Sequence, residues 1–221
     1  HVRAAQALEA AARALPDAPE VAHLDAMDFV ASGFRKMYTD GYIKLINAHP
    51  AIWEQVHRKT DTTPHSAASQ RLRRGIERLS SGALRHEVRR RKPDAVICTH
   101  FLPAELLKRE AEHGHLHCPI WLQVTDYDLH NMWLVPDMAG YFAATDEVSH
   151  RMRARGLPAD RLHVTGIPVM PAFADPAAPA LDSVHCREAL GLPLDRRVLL
   201  MVSGGQGVGD LPTMVANVLG L

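Results

Sequence analysis

The chain has 221 residues, of which 47% are hydrophobic and 23% are charged, a composition typical of an ordinary globular protein. Its 25 Lys and Arg residues balance 25 Asp and Glu residues, which gives no reason to expect nucleic acid or another polyelectrolyte as a partner. The three cysteines are far apart and lack the spacing of zinc ligands, so they are interpreted as reduced cytosolic thiols. No apolar run is long enough to span a bilayer, so any membrane contact is expected to be peripheral.

The first part of the chain is predicted to be mainly helical. An alanine-rich helix runs from Val2 to Leu15, a short strand is expected over 20–24, and irregular helical patterns cover 29–59 and 66–91. The first of these two stretches holds five aromatic residues, and the second, together with the lysine that follows it, holds nine Lys and Arg residues. This combination suits a surface that rests on anionic lipid headgroups. The alternative is that the aromatic side chains fill the core while the arginines form a solvated helix face.

An alternation of strands and helices occupies the middle of the chain. Strands are predicted from short apolar runs, and helices from the periodic segments between them. The predicted strands cover 95–99, 120–125, 141–144 and 162–165, and the predicted helices cover 104–113 and 147–155. This order is typical of an α/β domain with a doubly wound parallel sheet. The following segment, 168–179, contains four prolines and is predicted to be a linker.

Polar and aromatic residues directly follow two of these strands. His100 comes at the end of the first strand, and Asp126, Tyr127, His130 and Trp133 come after the second. In open α/β sheets, ligands bind beyond the carboxyl ends of the strands, so these residues are candidates for ligand contact. Structural alternatives remain open: His100 could bond to the backbone at a helix start, Asp126 could cap a turn, and Trp133 could simply pack.

A glycine-rich loop near the end of the chain is the second candidate site. Residues 197–202 are predicted to form a buried strand, and 211–219 a helix with Asp210 as its N-cap and Pro212 in its first turn. The loop between them holds four glycines. Glycines in such a place let backbone N–H groups approach a phosphate, and the helix N-terminus favours negative charge. The spacing fits neither the P-loop lysine motif nor GxGxxG.

The chain contains 14 histidines, and the tract 113–118 has three of them beside a cysteine. Their alternating spacing is unlike the helical or finger spacing of zinc sites. The tract is therefore predicted to be a solvated turn, and no metal site is expected.

The order of motifs along the chain resembles the monogalactosyldiacylglycerol synthase and processive diacylglycerol glucosyltransferase group, which are GT-B glycolipid glycosyltransferases related to MurG. The matching segments are His1 to Ala5, Lys92 to His100, Thr125 to Trp133, Gly166 to Phe173, and Gly191-Leu192 followed by the glycine loop. The resemblance covers nearly the whole chain.

The resemblance implies a GT-B fold built from Rossmann-like doubly wound parallel sheets. The acceptor-binding N-terminal domain would occupy 1–167, a linker 168–195, and the beginning of the nucleotide-sugar-binding C-terminal domain 196–221. Family members have a strand before the histidine and continue well past the glycine loop. The chain is therefore expected to be a fragment that lacks its first strand and most of the donor domain, and to be inactive alone.

The resemblance also implies a reaction, the inverting transfer of a hexose from UDP-galactose or UDP-glucose to diacylglycerol, without a metal or other cofactor. His1 matches the family's general base, a role that suits imidazole because its pKa lies near the working pH. Asp126 would assist as a second catalytic residue by orienting His130 or a substrate hydroxyl. The expected acceptor-binding residues are His100, Tyr127, His130 and Trp133, with Trp133 stacking on a sugar or acyl glycerol. The expected diphosphate-binding residues are Ser203, Gly204, Gly205, Gln206 and Gly207.

Two other functions remain open. The acceptor could be a lipid-linked precursor that receives N-acetylglucosamine, as in MurG, or the chain could belong to a non-catalytic protein that binds lipid or nucleotide sugar. For the enzyme, the resemblance implies a cytoplasmic location, peripheral on the inner face of the cell membrane and in contact with anionic lipid.

Overall fold

The computed structural model describes residues 1–30, 82–174, 182–201 and 210–220. Several predictions lie outside these residues. They are the helical patterns between 31 and 81, four of the five clustered aromatic residues, the arginines at 71, 73, 74 and 78, and the whole glycine loop 203–209.

Four parallel strands form the sheet, in the order β1-β2-β3-β4. They are β1 (Val96–Cys98), β2 (Ile120–Gln123), β3 (Gly140–Ala143) and β4 (Leu162–Val164). The register pairs Cys98 with Leu122, and Leu122 with Tyr141. The predicted strands and their parallel arrangement are confirmed, and the sheet has the Rossmann-like α/β character of an N-terminal GT-B domain.

Seven helices lie in the described part of the chain. They are α1 (Val2–Arg13), α2 (82–91), α3 (Phe101–Glu112), α4 (Asp146–Ala154), α5 (Pro171–Ala174), α6 (Ser183–Ala189) and α7 (Leu211–Leu219). Helix α3 begins three residues earlier than predicted because the side chain of His100 accepts the Leu102 N–H and caps it. The predicted cap of α7 is confirmed, since the Asp210 carboxylate accepts the Thr213 N–H at 3.1 Å.

The core lies between the sheet and helices α3 and α4. Leu122, Tyr141 and Val148 are fully buried there, as expected for strands covered by helices. The buried Tyr141 hydroxyl donates to the Val135 carbonyl at 2.7 Å and so fixes the segment that precedes β3. The loop after β2 folds back into this core and brings the Trp133 ring inside it.

Two predicted strands are wrong. Residues 20–24 and 197–201 form no strand, and Leu199 and Leu200 are 64% and 82% exposed. A strand needs a neighbour to take up its backbone hydrogen bonds, and neither segment pairs with a strand of the described structure. Apolar runs alone therefore overstated the strand content at both places.

None of the helices in the described ranges combines the length and the apolar character needed to cross a membrane.

Candidate functional site

The site lies at the carboxyl ends of β1 and β2. Because these neighbouring strands are parallel, the loops that follow them leave the sheet at the same edge. Thr99 is the first residue after β1 and Thr125 the second after β2, and the Thr125 hydroxyl contacts the Thr99 carbonyl at 3.4 Å. Both loops therefore lie at one edge of the sheet, as expected for the carboxyl ends of neighbouring parallel strands.

His1 is joined to both loops. It is the N-cap residue of α1, but its side chain makes no capping bond to that helix. Instead, its Nδ1 lies 2.5 Å from the Thr125 hydroxyl oxygen. The His1 carbonyl accepts a hydrogen bond from the Thr99 hydroxyl at 3.2 Å. Two hydroxyl groups thus hold the start of α1, and its histidine ring, against the ligand edge of the sheet.

His100 packs edge-on against His1, with 4.5 Å between the ring centroids. Its Nδ1 accepts the Leu102 N–H at 3.1 Å. For this nitrogen, the alternative in which His100 bonds to the backbone at a helix start is confirmed. Burial lowers the pKa of His100 to about 4. The ring is therefore neutral near pH 7. Its proposed contact with an acceptor stays a prediction.

Trp133 does not offer its ring to a ligand. The side chain is fully buried, 5.5 Å from the Phe101 ring and 5.8 Å from the His1 ring between centroids. Its Nε1–H donates to the Asp126 carboxylate at 2.7 Å. The expected stacking of Trp133 on a sugar or acyl glycerol is wrong for this structure, because the rings beside it and the core occupy that space. Trp133 instead packs against the His1 ring from the buried side of the site.

The Asp126 contact differs from the one expected. Its Oδ2 accepts the indole proton, so this oxygen orients Trp133 rather than His130. His130 uses its Nδ1 to accept the Met132 N–H at 3.2 Å, which caps the short turn Asn131–Trp133. A catalytic role for Asp126 and an acceptor role for His130 stay predictions, and both residues already have structural partners.

Tyr127 is the most accessible of the expected acceptor-binding residues, with 71% of its surface exposed. The next residue, Asp128, is held by Arg151 at 2.7 Å, which ties this part of the loop to α4. The exposed phenol ring thus stands on a loop that is anchored on both sides, at Asp126 and at Asp128. This arrangement suits a ring that contacts a bound molecule without reorganising the loop.

Sequence reasoning did not select Thr99 and Thr125 as site residues. Their signal was present, since Thr99 directly follows β1 and Thr125 lies two residues after the end of β2, both at the ligand edge. Threonine is so common near strand ends that the position alone does not separate a site residue from an ordinary turn. The contact with His1, distant in sequence, distinguishes them.

No metal site is found in the ranges that the structure describes, where no three His, Cys, Asp or Glu residues are grouped to hold an ion. In the tract 113–118, His113 and His115 are exposed and their rings stack at 6.1 Å, as expected for a solvated turn. Cys98 is buried, and burial raises the pKa of its thiol to about 12. The thiol is therefore protonated and unreactive at neutral pH.

Comparison with known proteins gives a consistent result. The sequence pattern of monogalactosyldiacylglycerol (MGDG) synthase matches residues 1–169. A processive diacylglycerol beta-glucosyltransferase of Staphylococcus haemolyticus is 30% identical over 129 residues, which are 58% of this chain and 32% of that protein. The protein of the same name from Bacillus cytotoxicus is 31% identical over 127 residues, 57% of this chain and 31% of that protein.

A third such protein, from Bacillus mycoides, is 32% identical over 117 residues, 53% of this chain and 29% of its own length. The chain thus matches about a third of the length of these curated relatives. The family pattern covers far more than half of the chain, from the histidine of the site to the residues after β4. The chain belongs to the monogalactosyldiacylglycerol synthase family.

Proposed function

We propose that the chain is the acceptor-binding part of a glycosyltransferase that moves a hexose from UDP-galactose or UDP-glucose to diacylglycerol, with inversion at the anomeric carbon. Family membership and the names of the relatives support the reaction class. The observation that carries the proposal is the placement of His1, whose ring is held at the shared edge of two parallel strands, where α/β folds bind their ligands.

His1 acts as the general base in this proposal. As the acceptor hydroxyl attacks the anomeric carbon, its O–H bond breaks and the proton passes to the imidazole. The new glycosidic bond forms while the bond from the anomeric carbon to the phosphate oxygen breaks, and UDP leaves with that electron pair. An inverting transfer needs one base and one stabilised leaving group, and imidazole suits the first role near neutral pH.

The acceptor lies against the loops that follow β1 and β2. Tyr127 offers an exposed aromatic face, the His100 ring lies 5.9 Å from the buried Trp133 ring, and His130 precedes the short helical turn that carries Trp133. The donor diphosphate binds the backbone N–H groups of the glycine loop, at Ser203, Gly204, Gly205, Gln206 and Gly207. Those donors stabilise the departing charge electrostatically, so the proposal includes no metal or other cofactor.

The domain organisation follows from this assignment. Residues 1–167 form the acceptor domain, 168–195 the linker, and 196–221 the beginning of the donor domain. Because uridine and hexose contacts belong to the rest of the donor domain, the chain alone is inactive in this proposal.

The enzyme acts at the cytoplasmic face of the cell membrane as a peripheral protein. In the described part of the basic stretch, two carboxylates offset part of the charge, since Arg85 and Arg89 share the buried Glu110, and Arg90 and Arg91 share Glu87. The proposed contact with anionic lipid depends mainly on the arginines at 71, 73, 74 and 78.

A direct assay tests the proposed function. The full-length protein is incubated with diacylglycerol vesicles and either UDP-galactose, UDP-glucose or UDP-N-acetylglucosamine, and the lipid product is identified by mass spectrometry. A hexosyl diacylglycerol supports the proposal. Transfer only from UDP-N-acetylglucosamine to a lipid-linked acceptor would favour the MurG-like alternative, and binding without turnover would favour a non-catalytic protein.

A further inference from the structure

We propose that Thr125 is a positioning residue that fixes the tautomer of His1, so that Nδ1 carries the proton and Nε2 presents its lone pair to the acceptor hydroxyl. The inference rests on the proposed function, because it assigns a partner to the proposed base. Nδ1 is the nitrogen already in contact with Thr125, so only Nε2 is left to meet a substrate.

Three hydrogen bonds connect His1 to the two strand ends. The His1 ring contacts the Thr125 hydroxyl, the Thr125 hydroxyl contacts the Thr99 carbonyl, and the Thr99 hydroxyl donates to the His1 carbonyl. These contacts form a closed loop that starts at the His1 ring and ends at the His1 carbonyl. Both the position and the rotation of the ring are therefore set by residues of the sheet edge.

Counting donors defines the arrangement that we propose. A threonine hydroxyl has one proton and two lone pairs, and a carbonyl oxygen can only accept. In the proposed arrangement the Thr125 proton goes to the Thr99 carbonyl, 3.4 Å away, and the Thr125 oxygen accepts the proton of Nδ1. In the opposite tautomer the Thr125 hydroxyl would donate to Nδ1, and the Thr99 carbonyl would receive no proton from Thr125.

The neutral character of Thr125 has a chemical consequence. After proton transfer, the imidazolium still donates from Nδ1 to the hydroxyl oxygen, whose partial charge stabilises it less than a carboxylate would. Among the described contacts of the His1 ring, none is to a carboxylate. His100 lies 4.5 Å away and is neutral near pH 7, and the Asp126 carboxylate keeps its charge but bonds to the indole of Trp133 rather than to His1.

Three substitutions at this position test the inference in the full-length protein. Thr125→Val keeps the shape but removes the hydroxyl, and turnover should fall about 10-fold or more, a part of the ~10²–10⁴-fold that a general base supplies. KM for the nucleotide sugar should not change. Thr125→Ser restores the hydroxyl and should restore most of the turnover. Thr125→Asp should move the acid limb of the kcat profile to higher pH, because a carboxylate stabilises the imidazolium.

The matched control is Thr165→Val. Thr165 follows β4 at the same edge of the sheet, and its hydroxyl contacts only the carbonyl of the next residue, at 3.4 Å, among the bonds that the structure describes for it. This variant should keep normal turnover and an unchanged pH profile.

A spectroscopic measurement separates positioning from mere packing. In protein labelled with ¹⁵N-histidine, the signals of His1 are assigned by comparison with His1→Gln, and their shifts show which nitrogen carries the proton. Wild type should show a protonated Nδ1 and a bare Nε2, whereas Thr125→Val should shift the ring toward the Nε2–H form that free imidazole side chains prefer. Each of three results would overturn the inference. They are a wild-type His1 ring protonated at Nε2, normal turnover in Thr125→Val, and an acid limb of the kcat profile that does not move in Thr125→Asp.

Failure of the proposed function has a different signature. If His1→Ala keeps normal turnover, His1 is not the base, whatever its tautomer. If His1→Ala abolishes turnover while Thr125→Val does not affect it, only the role of Thr125 is wrong.

Discussion

The indole N–H of Trp133 donates to the Asp126 carboxylate at 2.7 Å, and the ring itself is fully buried below His1. This bond links the loop after β2 to the floor of the site. Asp126 can therefore hold the Trp133 ring in place without contacting a substrate. The same bond predicts how two substitutions of Asp126 should differ.

Asp126→Ala should lower the free energy of unfolding by about 1–3 kcal/mol, because it leaves a buried indole N–H without its acceptor. Asp126→Asn keeps an oxygen that can accept this proton and should cost less. Urea denaturation of the two variants checks the difference. If Asp126 acts through Trp133, Asp126→Asn should also keep turnover within about tenfold of wild type, well short of the ~10²–10⁴-fold loss of a catalytic base. A loss as large as that would return Asp126 to the reaction itself.

Gly140 begins β3 beside the Trp121 ring, and a Cβ atom at this position would overlap ring carbons of that side chain. Trp121 also stacks on Phe142 at 5.3 Å, which restricts its movement. Gly140→Ala should therefore destabilise the fold by about 1–3 kcal/mol, the usual cost of overpacking. Thermal unfolding measures the change.

Gly82 is the matched control for this substitution. It lies in α2, and a Cβ atom there would meet nothing within 4 Å. Gly82→Ala should stabilise the protein slightly, by up to about 1 kcal/mol, because alanine favours a helix over glycine. Equal destabilisation by both variants would contradict the close packing of β3 against Trp121.

His100 should make stability depend on pH in a defined range. Its pKa is about 4 in the folded protein and 6.5 for an unperturbed histidine side chain, so protonation favours the unfolded chain. The contribution is fully present above pH 6.5 and is lost as the pH falls toward 4, by about 3 kcal/mol at most. His100→Asn keeps a helix-capping side chain without the titration. Urea denaturation at a series of pH values should show a shallower acid dependence in this variant, and parallel curves would exclude His100 as the cause.

The four strands could be predicted because their apolar runs recur in one alternating series of strands and helices, so two patterns agree. The strand expected over 197–202 lies outside that series, beyond the proline-rich segment, and Leu200 is 82% exposed in the structure. At the site, His100 and Asp126 could be selected from their places after strands. The contact between His1 and Thr125 could not, because it joins residues 124 positions apart and depends on how α1 packs on the sheet.

Trp133 shows why residue type alone misleads in such loops. An aromatic residue within a polar loop at a ligand edge is typical of a binding site, and the same pattern arises when the loop folds back and buries the ring. Here the indole has a carboxylate partner seven residues earlier, which satisfies its polar atom and permits complete burial. Composition of the loop does not decide between these outcomes, whereas the three-dimensional path of the loop does.

Membrane association of the full-length protein should be salt-sensitive, because screened charge between arginines and anionic lipid drives it. Neutralising Arg71, Arg73, Arg74 and Arg78 should greatly reduce flotation with anionic liposomes. The comparison is neutralisation of Arg90 and Arg91, whose charges are partly offset by the Glu87 that they share and should therefore matter less per residue. Binding that resists high salt, or that survives the first set of changes, would exclude these arginines as the anchor.

The sharpest prediction separates the two halves of the proposed reaction in the full-length protein. His1→Ala should reduce turnover by ~10²–10⁴-fold, the usual contribution of a general base, while nucleotide-sugar affinity barely changes. Gly205→Val should do the opposite and weaken donor binding, because a branched side chain would hold the loop backbone away from the diphosphate. Single-turnover kinetics and calorimetric titration of the nucleotide sugar measure the two effects independently. A His1→Ala protein that keeps its turnover would move the base role to Asp126 or His130, whose side chains lie on the same loop. One that loses donor affinity together with turnover would mean that His1 shapes the cleft through its contacts with Thr99 and Thr125 rather than accepting the proton.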